Sequence, residues 1–234
     1  MCGRYGRRSD KQRIAEAFHL GQLPPDFVLS ESYNVTPQTF QPVIRLDRDG
    51  HRELIMMKWG LVPYWAKDTN VGYSTINARA ENVATAPLFR EAFQRRHCLV
   101  PADFFYEWQK LDPKGKEKQV WAIARKDTEP MAFAGLWETC KDMTTGTPLQ
   151  SFTIITTDPN AVMEPLHDRM PVIVPREDYD RWLHPDPARP ATDLLRPHDP
   201  EQMTAWKVSN DVGNVRHDSP ELCEPWQGPP TLFS

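Results

Sequence analysis

At 234 residues, 39% hydrophobic and 26% charged, the chain has the size and composition of one large soluble domain, or of two small ones sharing a core. It holds no apolar run near the roughly 18 residues of a membrane span, and its N-terminus lacks the apolar segment of a signal peptide. A net charge of −4 excludes an indiscriminate polybasic nucleic-acid binder. Residues 1–110 nevertheless carry 15 Lys and Arg against 12 Asp and Glu, while 111–234 carry 13 against 20, so a local basic face in the first half is compatible with the total.

The 23 prolines imply many short elements. Ser9-Asp10-Lys11-Gln12 has the pattern of a helix start, and Ile14, Ala15, Ala17 and Phe18 form an apolar stripe, which predicts a helix over 10–19. Residues 43–46 and 53–59 read as strands across the turn Asp47-Arg48-Asp49-Gly50, and 85–94 as a helix with Pro87 in its first turn. Strand-like runs follow at 98–100, 104–109, 119–124, 131–137 and 152–156, with polar hairpin loops at 110–118 and 141–148. A short helix from Asp158 to about Leu166, a strand at 172–174 and a helix at 177–183 precede a proline-rich loop at 184–200. Strands dominate without βαβ alternation. The expected fold is therefore α+β, a single domain with a curved, mostly antiparallel or barrel-like sheet and inserted short helices.

The four cysteines, Cys2, Cys98, Cys140 and Cys223, are far apart and lack metal-ligand spacing. Neither a structural zinc nor a disulfide framework is expected, and the compartment reads as reducing and cytoplasmic. Cys2 is the most consequential of them. Initiator Met is normally removed before so small a residue, which would leave one residue bearing both an α-amine and a thiol. Such a 1,2-aminothiol condenses with an aldehyde to an imine and closes a thiazolidine ring. With an amine pKa of about 8 and a thiol pKa of about 8.5, both reactive forms are available near neutrality.

Four segments set reactive side chains among apolar ones. Ile76-Asn77-Ala78-Arg79-Ala80-Glu81 alternates Asn, Arg and Glu, with Arg79 able to pair with Glu81 along the strand. Phe104-Phe105-Tyr106-Glu107-Trp108 holds a carboxylate among four aromatics. Glu107 fits the solvent face of an alternating strand, or, if the aromatics cover both faces, a desolvated acid with a raised pKa. Leu166-His167-Asp168-Arg169-Met170-Pro171 clusters three ionisable groups, and Trp59-Gly60-Leu61-Val62-Pro63-Tyr64-Trp65 is a broken aromatic loop. Taken singly, His167 also suits a structural histidine, Asn77 a turn and Trp65 the core.

Taken in order, Met1-Cys2-Gly3-Arg4, Tyr33-Asn34-Val35, Trp59-Gly60-Leu61-Val62-Pro63, Ile76 to Glu81, Cys98-Leu99-Val100-Pro101-Ala102-Asp103, Tyr106-Glu107-Trp108, Leu166 to Pro171 and Val212-Gly213-Asn214-Val215 closely resemble the SRAP family. Its members are SOS-response-associated, peptidase-like proteins that crosslink to abasic sites in single-stranded DNA. The resemblance runs from residue 2 to about 222, and 223–234 is expected to be a flexible tail. Phe104 stands where the family usually has glycine. The resemblance implies that Cys2 forms the crosslink after Met1 is lost, with Glu107 as general acid and base, His167 assisting ring opening and Asn77 orienting Cys2 and the sugar. Arg4, Arg79 and Arg169 are expected at phosphates, and Trp65, with Tyr64 beside it, at a base. The implied partner is single-stranded DNA with abasic sites, or a single–double-strand junction, bound by a monomer in the bacterial cytosol without metal or other cofactor. An N-terminal-nucleophile cysteine peptidase or amidohydrolase built on Cys2, His167 and Asn77, or a non-catalytic single-strand binding module, are the alternatives.

Overall fold

The prolines and turns cut the chain into short pieces that pair largely with their sequence neighbours. In a computed structural model describing residues 2–21, 23, 27–66, 68–142, 144–226 and 228, the strands are β1 Tyr5–Arg7, β2 Ser32–Val35, β3 Phe40–Leu46, β4 Arg52–Trp59, β5 Asn77–Arg79, β6 His97–Ala102, β7 Phe104–Lys110, β8 Lys118–Arg125, β9 Met131–Lys141, β10 Pro148–Thr157, β11 Met170–Pro171 and β12 Met203–Lys207. Three short helices are inserted: α1 Lys11–Ala17, α2 Arg90–Arg95 and α3 Tyr179–Leu183. No helix of the described residues is long and apolar enough to cross a membrane.

Five strands close into a ring in the order β10, β4, β3, β6, β9 and back to β10. A second sheet, β12-β8-β7-β1-β2, packs on it. Alternation along the ring strands sorts their side chains. Ile44, Leu99, Ala134 and Ile155 join the helices around Trp182, whereas Val43, Val100, Phe133 and Ile154 meet Cys2, Tyr5 and Phe105 of the second sheet. Both faces are covered, so these strands read as continuous apolar runs. The expected α+β, barrel-like architecture is what the chain forms.

Two devices position the functional segments. Gly60 leaves β4 at φ 123°, and a Cβ there would lie 2.3 Å from the Gly72 carbonyl oxygen. Only glycine fits that exit. The chain then makes an excursion over 61–76 and returns as β5, which pairs parallel with β10 at Ile154, just beyond the point where β4 pairs with Phe152. At the other junction, Asp103 turns the chain from the ring into β7. Its carboxylate accepts the backbone N–H groups of Arg8 and Ser9 (2.7 and 2.8 Å) and the Ser9 hydroxyl (2.6 Å), anchoring the end of β1.

Several local expectations are corrected. Asp10, not Ser9, caps α1 by accepting from the Arg13 N–H at 2.8 Å, because Ser9 is taken by Asp103. The helix expected over 85–94 is confined to Arg90–Arg95 and is preceded by turns. No regular helix follows Asp158. The Asn160 side chain instead accepts from Val162 and Met163 N–H, bending 160–166 into turns. The strand expected at 172–174 is registered two residues earlier, as β11, with a single bridge from Ile173 to Phe133. Strands β1, β2 and β12 escaped the sequence pattern, being short and rich in polar residues. The tail expected over 223–234 lies mostly outside the described residues.

Phe104 is accommodated by Gly6, its cross-strand partner: a Cβ on Gly6 would fall 2.1 Å from the Phe104 ring, which is itself fully buried. Gly6→Ala is expected to cost about 1–3 kcal/mol by overpacking. In a Phe104→Gly background the same change is expected to be nearly neutral. Urea unfolding of the four proteins measures the coupling, and equal costs in both backgrounds would refute this packing.

Candidate active site

The register of β1 against β7 places Tyr5 opposite Phe105 and Gly6 opposite Phe104, and the Tyr106 N–H donates to the Arg4 carbonyl at 3.0 Å. Continued toward the N-terminus, this register sets Gly3 opposite Glu107, and the adjacent Cys2 lies close enough for the Glu107 charge to act on its thiol. Both are buried, Cys2 completely and Glu107 to 2% exposure. Of the two sequence readings of Glu107, the desolvated acid is the observed one. Burial pushes its carboxyl up to about 8. Burial first, and the Glu107 charge second, raise the Cys2 thiol well above its ordinary value, so a freely available thiolate at neutral pH is not what the fold provides. The Arg4 backbone N–H partly offsets this by hydrogen-bonding the sulfur.

His167 faces the same carboxyl, with Nε2 3.9 Å from Glu107 Oε2. Its Nδ1 accepts the Arg169 N–H at 3.0 Å, which assigns the proton of the neutral ring to Nε2. Asp168 Oδ1 lies 2.8 Å from Nδ1 and becomes its acceptor when the ring gains a second proton. Burial lowers the His167 pKa. Near pH 7 the Glu107–His167 contact is therefore one between two largely neutral groups rather than an ion pair. Asp168 had no role in the sequence reading, although its adjacency to His167 was visible there.

Asn77 opens β5. Its amide donates to the Ile76 and Ile154 carbonyls at 3.1 and 3.4 Å, while its buried Oδ1 has no hydrogen-bond partner among the described residues. Such an orphaned acceptor is costly, and it marks a place for an incoming donor. Ile76 and Ile154 pack in the same apolar cluster as Cys2, so Asn77 borders the same niche.

The residues expected to meet DNA divide into two kinds. Trp65, Tyr64 and Arg79 are exposed; Trp65 keeps 54% and Tyr64 60% of their surface in solvent. Arg4 and Arg169 are occupied internally. Arg4 Nη1 donates to Asn34 Oδ1 and the Val212 carbonyl, both at 2.7 Å, and its guanidinium lies 5.8 Å from the Trp108 ring. Arg169 is buried and donates to both oxygens of Glu81, to Asp158 at 3.0 Å and to the Thr156 carbonyl at 2.6 Å. Glu81 thus pairs with Arg169 rather than Arg79, and Arg169 sits at the base of the turn presenting His167. Asn34 also donates to the carbonyls of Asn214 and His217, tying the C-terminal segment to the N-terminal strand.

Because the folded state favours the protonated form of Glu107, its contribution to stability is fully present below the ordinary value of 4.5 and is lost as pH rises through about 8. Relative to wild type, Glu107→Gln is expected to gain up to a few kcal/mol between pH 5 and 9. Urea unfolding across pH would show this, and parallel stability curves would contradict the burial of an ionisable group here.

Residues 1–215 match the sequence profile of the family described as SOS response associated peptidase (SRAP). The chain is 43% identical over 227 residues to the abasic site processing protein YoqW of Bacillus subtilis, covering 96% of this chain and 99% of that one. It is 28% identical to YedK of Escherichia coli, also called an abasic site processing protein, over 96% of this chain and all of the other. A crystal structure of a protein from Bacteroides thetaiotaomicron superposes with a TM-score of 0.84 at 27% identity, covering 96% of this chain and 100% of that one. Matched in profile over almost its whole length and in sequence nearly end to end, the chain belongs to the SRAP family.

Proposed function

We propose that this protein captures abasic sites in single-stranded DNA as a stable thiazolidine on Cys2, consuming one protein per lesion and shielding the site during the response to DNA damage. The observation that carries the reading is the burial of Cys2 beside a carboxyl with a pKa of about 8, with His167 in contact with that carboxyl. The names of the relatives, which call them abasic site processing proteins, support it.

Removal of Met1 comes first: hydrolysis of the Met1–Cys2 amide takes up one water, releases methionine and frees the α-amine. This step is assigned to the protein itself. While Met1 is attached, the Cys2 nitrogen is an amide and cannot form an imine. The free amine then attacks the aldehyde of the ring-opened sugar. Glu107, as the acid, protonates the departing oxygen, and one water leaves to give the imine. The Cys2 sulfur adds to the imine carbon, and the thiol proton ends on the nitrogen, relayed by the Glu107 carboxylate. The net change is condensation with loss of one water.

Asn77 Oδ1 is the acceptor that holds the amine or a sugar hydroxyl in line, a positioning task. His167, neutral with its proton on Nε2, assists sugar ring opening and exchanges protons with Glu107, while Asp168 steadies the doubly protonated ring. Trp65 stacks on an exposed base and Arg79 meets phosphate. Arg169 has both terminal nitrogens engaged and Arg4 spends Nη1 on Asn34 and Val212, so their service to DNA is chiefly to hold His167 and Cys2 in place. A cysteine peptidase needs an activated thiolate, and the raised thiol of Cys2 runs against that alternative.

Cys2→Ala retains an N-terminal amine but no sulfur once Met1 is gone. With an abasic oligonucleotide it is expected to give no adduct that survives denaturing electrophoresis, yet to yield a covalent band when borohydride is present to reduce the imine. Wild type is expected to give the stable band without reductant. A stable, reductant-independent band from Cys2→Ala would remove sulfur from the mechanism.

A further inference from the structure

We propose that the β7–β8 hairpin and Trp108 form a second stretch of DNA-binding surface, a basic groove that carries the strand onward from the abasic position. The proposal rests on the crosslinking reading for its occupant and on the following geometry for its course.

Two cavities meet at Trp108. One, of about 560 Å³, is lined by His167, Asp168, Leu166, Lys110 and the Trp108 ring. The other, of about 500 Å³, is lined by Trp108 together with Lys116, Glu117, Lys118 and Asn210. The half-buried indole of Trp108 is thus shared by the cavity that holds the active-site histidine and the cavity of the hairpin loop.

The loop is strongly and freely cationic. Lys110, Lys114, Lys116 and Lys118 are exposed, and none forms a salt bridge among the described residues. Of the two loop acids, Asp112 accepts the N–H groups of Lys114 and Glu117 at 2.7 and 2.5 Å, and Glu117 is exposed. Four ammonium groups against the two carboxylates of Asp112 and Glu117 leave the hairpin net positive on a chain of net charge −4, a localised anion-attracting feature.

The near cavity is the more acidic, because Glu164 and Asp168 line it beside Lys110, whereas the far one sets Glu117 against Lys116 and Lys118. A strand in the groove is thus seated with sugar and base in the near cavity and against Trp108, and its phosphates against the lysines. Stacking on such a ring tolerates any sequence. This surface is separate from the loop that carries Trp65 and from β5, which carries Arg79.

The test compares wild type with a variant in which Lys114, Lys116 and Lys118 are all changed to Gln, and with a control in which the exposed Arg48, Lys126 and Arg189 are changed to Gln. Affinity for a fluorescein-labelled, undamaged 15-nucleotide thymidine strand is measured by anisotropy over a range of KCl concentrations. The slope of log affinity against log salt is expected to shrink by about 2 in the hairpin variant, with affinity at least tenfold weaker at low salt, and to stay unchanged in the control. An unchanged hairpin variant, an equal effect in the control, or no measurable binding by wild type each overturns the groove. Adduct formation with an abasic strand is scored separately. Its absence in wild type would defeat the crosslinking reading, while the anisotropy comparison would still decide the groove.

Discussion

The pairing of a three-residue strand, Tyr5–Arg7, between β2 and β7 is the constraint on which the site depends. So short a strand forms few ladder hydrogen bonds, so side chains must hold it. The Tyr5 ring lies 5.3 Å from Trp59 and 5.9 Å from Phe133, both contributed by the ring of strands. Asp103 binds the residues that leave β1, Asn34 fixes Arg4, and Phe104 covers Gly6. With those four locks in place, Cys2 is carried into the layer between the two sheets and beside Glu107. A slip of β1 by one residue would turn its side chains to the wrong face and part Cys2 from Glu107.

Burial then sets the chemistry. The same desolvation raises the Cys2 thiol and the Glu107 carboxyl and lowers the His167 imidazolium, so all three groups favour their neutral forms at physiological pH. A niche of that kind suits a condensation in which protons are handed between neutral partners and water departs. It is poorly suited to a reaction that stores a thiolate. Charge is left uncancelled only on the exposed Asp168, while the buried Arg169 is matched by Glu81 and Asp158. The result is a firm support for the turn that carries His167 without a bare charge inside the niche.

Much of this was legible in the sequence. Aromatics on both sides of Glu107 signalled a strand covered on both faces, and β7 is covered in that way. The hairpin loops were legible because Lys, Asp and Gly interrupt alternating apolar runs. The partners of Arg169 were not: Glu81 is 88 residues away, and nothing local distinguishes it as the partner of Arg169 rather than of Arg79. Nor was β1, since Tyr-Gly-Arg carries no strand pattern and becomes a strand only because β2 and β7 flank it. The Phe104–Gly6 exchange was half legible. The departure from glycine could be seen at Phe104, but its compensation lies across a strand pair that only the fold reveals.

The most direct measurement is the intact mass of the protein before and after incubation with an oligonucleotide carrying one abasic site. The proposed chemistry requires a starting mass lacking Met1, followed by conversion of the protein to a one-to-one species of protein plus DNA minus one water. A processed protein with free Cys2 that stays unmodified in excess abasic DNA would contradict it.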